Sequence, residues 1–300
     1  MSDYYLGLDN GGTMVKAVIF DEKGRFVSGS SEKLKMIVPR PGFTERDMDE
    51  LWQANCRVIK RAVEQAGPSV ARNIRSAACS GHGKGLYLWG TDGRPAYNGI
   101  VSTDSRAVEY ARKWTEGETG QYVQSVNFQK ILASQPVSIL RWFADHEPDV
   151  LNKTKWIFEC KDYIRYRLTG EAYAEISDYS GSNLMNLTTM SFDRELLNKF
   201  ELGDMIDKLP PLKRSTDICG YITEETAAKT GLPVGVPVAG GMFDIDACAV
   251  AMNIFGAEQF CVIAGTWSIN GYVSKEPVKD GSVMMNSCYA EPGYFFIEEG

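Results

Sequence analysis

Histidine is nearly absent from this chain of 300 residues, which has only His82 and His146. A His-rich zinc centre is all but excluded on that count. A Ser-His-Asp hydrolase would have to use one of the two, and neither sits near a Gly-x-Ser-x-Gly elbow. No Cys-x-x-Cys pair occurs among the seven cysteines, whose odd number favours free, mostly buried thiols over disulfides. No apolar run approaches the ~20 residues of a membrane helix. No signal-peptide pattern opens the chain either, because Ser2 and Asp3 lead directly into a strand-like segment. An excess of positive charge is also missing. Lys and Arg number 32 against 39 Asp and Glu, for a net charge of −7 and a pI near 5.1. A nucleic-acid binder would normally carry a basic face, so that partner class is disfavoured. The expectation is a soluble, cytoplasmic protein that binds neither nucleic acid nor membrane.

Three hundred residues suggest two domains, and 44% apolar residues are ample for their cores. Tyr4–Asp9, Met14–Phe20 and Arg25–Met36 read as an antiparallel meander with short turns. Apolar residues at Met48, Leu51, Trp52, Cys56, Ile59, Ala62 and Val63 follow a helical spacing, which Gly67-Pro68 ends. Ile74–Ser80 is a short apolar strand. Three meander strands, a helix and a returning strand predict an α/β layer with a mixed sheet. The middle of the chain is more helical. Val236–Ala239 then reads as a buried strand running into Gly240-Gly241, and Asp244 starts a helix through Met252. After Gly256 the opening pattern returns: strand Gln259–Ala264, a Gly265-Thr266 turn, strand Ile269–Ser274, then Tyr294–Glu298. An internal duplication and two unrelated hairpins fit this self-similarity equally well.

Asp9-Asn-Gly-Gly-Thr13 is the first stretch with chemical content. Gly11 and Gly12 carry no Cβ to keep a phosphate from the backbone NH groups. Thr13 adds a hydroxyl, Lys16 a cation, and Asp9 an acceptor suited to a hydrated Mg²⁺. Taken alone, a plain Asn-Gly hairpin is the better reading. A second strand follows the glycines, so this is neither a Walker A loop nor a dinucleotide-fold turn, and a Rossmann-type oxidoreductase is disfavoured. The second Gly265-Thr266 turn shifts the balance, because two such hairpins could grip a polyphosphate from opposite sides of a cleft. Asp244, at a helix start, could take a proton from a substrate hydroxyl. The competing readings are an N-cap aspartate and Asp246 as the functional acid. Asp104 and Arg106 at a strand end could hydrogen-bond polyol hydroxyls, or could simply form a capped junction. The loop Gly81–Gly85 bears His82 and Lys84 and is either a ligand contact or a mobile turn. Glu45, in Pro41-Gly-Phe-Thr-Glu45, is a minor sugar-site candidate.

Together these residues resemble the FGGY carbohydrate kinases. Asp9-x-Gly-Gly-Thr13-x-x-Lys16, Pro41-Gly-Phe-Thr-Glu45, Gly81–Gly85, Asp104-x-Arg106, Gly240-Gly241-x-x-Asp244 and Gly265-Thr266 occur in that family's order and approximate spacing. The similarity spans nearly the whole chain. Within the family it is greatest to L-xylulose kinases, notably in "LGLDNGGTMVKA", "RDMDELWQ", "GKGLYL" and "QPVSILRW". The resemblance implies a ribonuclease H-like fold of the actin and sugar-kinase type, with a mixed sheet. It divides the chain into an N-terminal domain over 1–248 and the start of a second domain of the same type over 255–300. It further implies ATP and Mg²⁺ as cofactors, with Gly11, Gly12, Thr13, Lys16, Gly265 and Thr266 at the nucleotide phosphates and Asp9 at the metal. Asp244 corresponds to the general base. His82, Lys84, Asp104 and Arg106 fall where the sugar binds, with Lys84 near a position where many pentulokinases carry a substrate-contacting histidine.

The implied reaction is phosphorylation of the terminal hydroxyl of a ketopentose, with L-xylulose foremost. D-xylulose, ribulose and glycerol are the alternatives, and a non-catalytic sugar or nucleotide sensor is a reading of a different class. Assembly as a homodimer is left open. One departure from the family pattern stands out: its second domain continues well past residue 300 and supplies the adenine pocket. The expectation is therefore a fragment of a longer chain, with one apolar sheet face uncovered.

Overall fold

Alternation of buried and exposed side chains builds the first hairpin. Leu6, Leu8 and Asn10 of strand Tyr4–Asn10 and Val15, Ala17 and Ile19 of strand Met14–Asp21 all turn to one buried face. The two strands pair antiparallel in direct register, with Asp9 opposite Lys16, and Phe26–Lys33 adds a third. The computed structural model describes residues 2–256, 258–264 and 268–300. The predicted Gly265-Thr266 turn lies outside the described residues.

Helix Met48–Ala66 closes the buried face. The Glu50 amide donates to the Asp47 side chain at its N-cap (2.8 Å), and Gly67, at φ 83°, ends it. Its inward stripe includes Leu51, Trp52, Val58, Ile59 and Ala62, each 0–1% exposed, and packs on Leu6, Leu8, Val15 and Ala17. A buried amide pair ties the helix to the hairpin: Asn55 Nδ2 donates to Asn10 Oδ1 at 2.7 Å. Both side chains are fully buried, so this bond fixes the end of the first strand where the turn begins.

Strand Ile74–Gly81 runs parallel to the first strand, and Pro237–Ala239 and Met242–Phe243 run parallel to it in turn. The seven-stranded sheet therefore reads Ile218–Tyr221, Pro237–Ala239, Ile74–Gly81, Tyr4–Asn10, Met14–Asp21, Phe26–Lys33, with Met242–Phe243 also on Ile74–Gly81. It is mixed, as predicted. A second core around Leu86, Ile100, Trp142 and Phe143 gathers helices Val108–Thr115 and Pro136–His146 beside the sheet. A separate antiparallel sheet follows, in the order Cys261–Ala264, Ser268–Ser274, Phe295–Glu299, Met285–Cys288. All seven cysteines are free, and six are buried.

Candidate active site

The C-terminal ends of the parallel strands open on a cavity of ≈ 230 Å³, and segments far apart in sequence line it. The first is the hairpin turn. Gly12 and Thr13 face the cavity. A Cβ built at Gly12 would meet nothing within 4 Å, and one at Gly11 would meet only the Met14 carbonyl at 3.6 Å. Neither glycine is demanded by crowding within the fold. Both leave the turn bare on its open side. Beside it, Lys16 Nζ donates to Asp9 Oδ2 at 2.9 Å, and that hydrogen bond raises the lysine's pKa.

The second segment continues strand Ile74–Gly81. A Cβ at Gly83 would lie 2.5 Å from the Phe243 ring, so only glycine lets this loop pack against the strand that precedes Asp244. Burial, followed by the nearby Arg46 charge, pushes His82 down to about 3, so its ring is neutral. Nδ1 lies 3.3 Å from the Gly83 carbonyl and must be the donor there, which leaves Nε2 to accept from Tyr87 Oη at 2.8 Å. Both ring nitrogens are thus engaged within the protein. Lys84 adopts φ 62°, and its Nζ donates to Glu298 Oε1 of the second sheet at 3.3 Å.

The third segment is 101–106. Val101, Ser102 and Thr103 line the cavity, whereas Asp104 and Arg106 are not among the lining residues. Asp104 accepts from the Thr44 amide (2.7 Å) and from Arg106 Nε and Nη2 (both 2.9 Å). Arg106 Nη2 also donates to Glu45 Oε1 at 2.7 Å, and its guanidinium lies over the Phe43 ring, 4.2 Å from the centroid. These groups form a buried clamp behind the lining, and it holds Glu45 as well.

Asp244 completes the cavity. It is the first residue of helix Asp244–Ala251, and the N-cap position belongs to Phe243, which makes no side-chain cap hydrogen bond. The capping role that competed for Asp244 in the sequence is therefore not the one it plays. Burial, then the charges of Asp9, Asp178 and Glu298, push its carboxyl up to about 8. Asp246 is fully buried and is not among the lining residues.

Five of the predicted residues thus share one cavity: Gly12, Thr13, His82, Lys84 and Asp244. Asp9 and Lys16 stand beside it, and Asp104 and Arg106 lie behind it. Gly265 and Thr266 are outside the described residues, but Ile263 and Ile269 on the flanking strands line the same cavity. Sequence reasoning missed Glu298, Phe243 and Ile245 of the lining, and also Arg46, which donates to the carbonyls of Gly11 and Gly12. A carboxylate inside the apolar run Phe295–Glu299 was a visible signal for Glu298. Nothing local marked Arg46.

Among the described residues, no group of three or more His, Cys, Asp or Glu side chains gathers as a metal centre, and no helix is long and apolar enough to cross a membrane. The family described as "FGGY family of carbohydrate kinases, N-terminal domain" matches residues 4–251. The chain is 36% identical over 298 residues to the "Probable L-xylulose kinase" of Pasteurella multocida (strain Pm70), which covers 99% of this chain and 62% of that protein. It is 35% identical over 301 residues to the "L-xylulose/3-keto-L-gulonate kinase" of Escherichia coli (strain K12), at 100% and 60% coverage. Both relatives are therefore matched over less than two thirds of their own length. Among solved structures, a xylulose kinase from Rhodospirillum rubrum superposes with TM-score 0.91 at 23% identity, over 98% of this chain and 60% of that one. A glycerol kinase from Plasmodium falciparum with ADP does so with TM-score 0.89 at 16% identity, over 99% and 61%. The fold is the mixed α/β architecture of the actin and ribonuclease H-like sugar kinases.

Proposed function

Because the chain belongs to the FGGY family of carbohydrate kinases, we propose that its cavity serves ATP-dependent phosphorylation of the terminal hydroxyl of a ketopentose, with L-xylulose as the substrate. The observation that carries this reading is the meeting of Asp244, the Gly12-Thr13 turn and the His82–Lys84 loop around one ≈ 230 Å³ space. The residues present fit a nucleotide phosphate and its metal. The open space at Gly12 leaves backbone NH groups approachable, and Asp9 offers a carboxylate on the same hairpin. Mg²⁺ commonly takes one or two carboxylates and fills its remaining positions with phosphate and water, so a three-residue protein cage is not required.

In this reading Thr13 and the turn amides hold the phosphates, Asp9 holds Mg²⁺ with Lys16 beside it, and Gly265 and Thr266 approach from the second unit. Mg²⁺ bound with ATP supplies charge neutralisation on the transferred phosphoryl group. Lys84 presents an ammonium group to the sugar, and the Asp104–Arg106 clamp holds the 101–103 lining in place. Asp244 accepts the proton of the attacking hydroxyl. Its raised pKa makes it a stronger base than an exposed aspartate once it is ionised. On the expected division into 1–248 and 255–300, this cleft would lie between the two units. Water competes with the sugar as acceptor, and closing the units over the sugar favours transfer over hydrolysis.

The test is ADP release over a panel of L-xylulose, D-xylulose, ribulose, 3-keto-L-gulonate and glycerol, using the protein extended to the length of its relatives. ADP release stimulated most by L-xylulose is the expected result. Stimulation by another member of the panel reassigns the substrate. Tight sugar binding without ADP release would replace the kinase with a sensor.

A further inference from the structure

We propose that Arg46 is the positioning residue that aims the backbone of the phosphate hairpin into the cavity. Its functional meaning rests on the phosphotransfer reading above, but its geometry does not. Arg46 lies in the two-residue strand Glu45–Arg46, which pairs antiparallel with Gly99–Ile100, and it is 2% exposed. From there Nη1 donates to the Gly11 carbonyl at 3.3 Å and Nη2 to the Gly12 carbonyl at 2.5 Å. One planar fork therefore takes two consecutive carbonyls, a task that suits a guanidinium and exceeds the reach of a single ammonium.

Peptide planarity gives this contact its consequence. In a trans peptide the C=O and the following N–H point in opposite directions. Drawing the Gly11 and Gly12 carbonyls toward Arg46 turns the amides of Gly12 and Thr13 the other way, and those are the two turn residues that line the cavity. The Gly11 amide is spent inside the turn, donating to the Met14 carbonyl at 3.1 Å. Among the described residues no backbone acceptor meets the amides of Gly12 and Thr13. The bare Gly-Gly turn is also what makes such a clamp necessary. Without Cβ atoms, either peptide flips at little steric cost, and a flipped peptide would present a carbonyl oxygen to an anion. The Arg46 charge, felt at His82, Tyr87 and Cys160, adds positive potential behind the same turn.

The experiment compares wild type with Arg46→Met, which keeps the length of the side chain and removes both donors, and with Arg46→Lys. Inorganic tripolyphosphate is the phosphate probe, L-xylulose the sugar probe, and protection of the Gly12 and Thr13 amides from hydrogen exchange by added tripolyphosphate the direct readout. A charge-assisted pair of hydrogen bonds is lost in Arg46→Met, so tripolyphosphate binding should weaken about tenfold or more while sugar affinity stays within about twofold. Tripolyphosphate should slow exchange at the two amides in wild type and do so far less in Arg46→Met, and Arg46→Lys should fall between the two. Wild-type tripolyphosphate affinity in either variant overturns the proposal. So does a parallel loss of sugar and tripolyphosphate binding, which would mark Arg46 as merely structural. Should Arg46→Met not fold, Arg46→Lys decides the matter alone, because it keeps the charge. If wild type shows no ketose-dependent ADP release yet the tripolyphosphate difference persists, the kinase reading fails and the clamp stands.

Discussion

Under the proposed function Asp244 carries the proton transfer, and its environment makes that role measurable. With its pKa pushed up to about 8, largely by burial, the group is protonated at neutral pH in the ligand-free cleft. As a base it acts only when ionised, so kcat/KM for the sugar should climb with pH and level off above about 8. Asp244→Asn should lower kcat by about 10²–10⁴-fold, the usual contribution of a general base, while L-xylulose still binds. The sign of the stability effect follows from the same shift. The folded pKa lies above the ordinary 3.8, so the folded state holds the extra proton between those two values, and stability declines as pH rises from about 4 to about 8. Asp244→Asn removes that cost. At pH 8 the variant should be more stable than wild type by on the order of 1 kcal/mol, a Tm rise of roughly 2–4 °C in thermal unfolding. A variant with near-normal kcat, or one that melts lower at pH 8, would remove Asp244 from this role.

At the level of elements, the position of Asp244 depends on the turn before it. Gly241 sits at φ 79°, and a Cβ there would lie 2.0 Å from the Cys79 carbonyl oxygen. Cys79 belongs to strand Ile74–Gly81, to which Met242–Phe243 is bonded with Phe243 opposite Gly81. Gly241→Ala should therefore push the two strands apart and shift the helix start, at a cost of about 3 kcal/mol from backbone strain and overpacking together. That corresponds to a Tm loss of roughly 6–12 °C. Gly12→Ala is the contrast. Its Cβ meets nothing within 4 Å, so its Tm should stay within about 2 °C of wild type, as for most changes that touch no packed or strained group.

The elements most legible in the sequence were those with a strong local period or a strong stop. The first two strands and helix Met48–Ala66 have both, and they fall within two residues of their predicted ends. The third strand ends at Lys33, short of the predicted Met36. Strand Met285–Cys288 was missed, because all four of its residues are buried and no alternation marks it. The two-residue strands Glu45–Arg46 and Gly99–Ile100 are too short to carry any period. For that reason nothing in the sequence around Arg46 singles it out. Its partners lie 34 and 35 residues back in the chain, and only the tertiary fold brings them together.

For the molecule as a whole, the second sheet presents an apolar edge. Among the described residues, strand Cys261–Ala264 is terminal in its sheet and pairs on one side with Ser268–Ser274. Phe260 and Val262 are 65% and 62% exposed. Open apolar edges recruit further strands. Sedimentation of the 300-residue chain should show concentration-dependent self-association, and Val262→Lys should reduce it. Unchanged association in that variant would move the sticky surface elsewhere.

Lys84 and Glu298 stand 214 positions apart in the chain, yet they meet across the cavity. One comes from the large sheet's loop and the other from the final strand of the small sheet, so a molecule lodged beside this pair would touch both sheets at once. If the cavity takes a ketose as proposed, selectivity among epimers would depend on the gap between the two sheets as well as on the groups that face it. A sideways slip of ~1 Å, enough to spoil reactive alignment, would retune which ketose fits without exchanging a single side chain in the pocket.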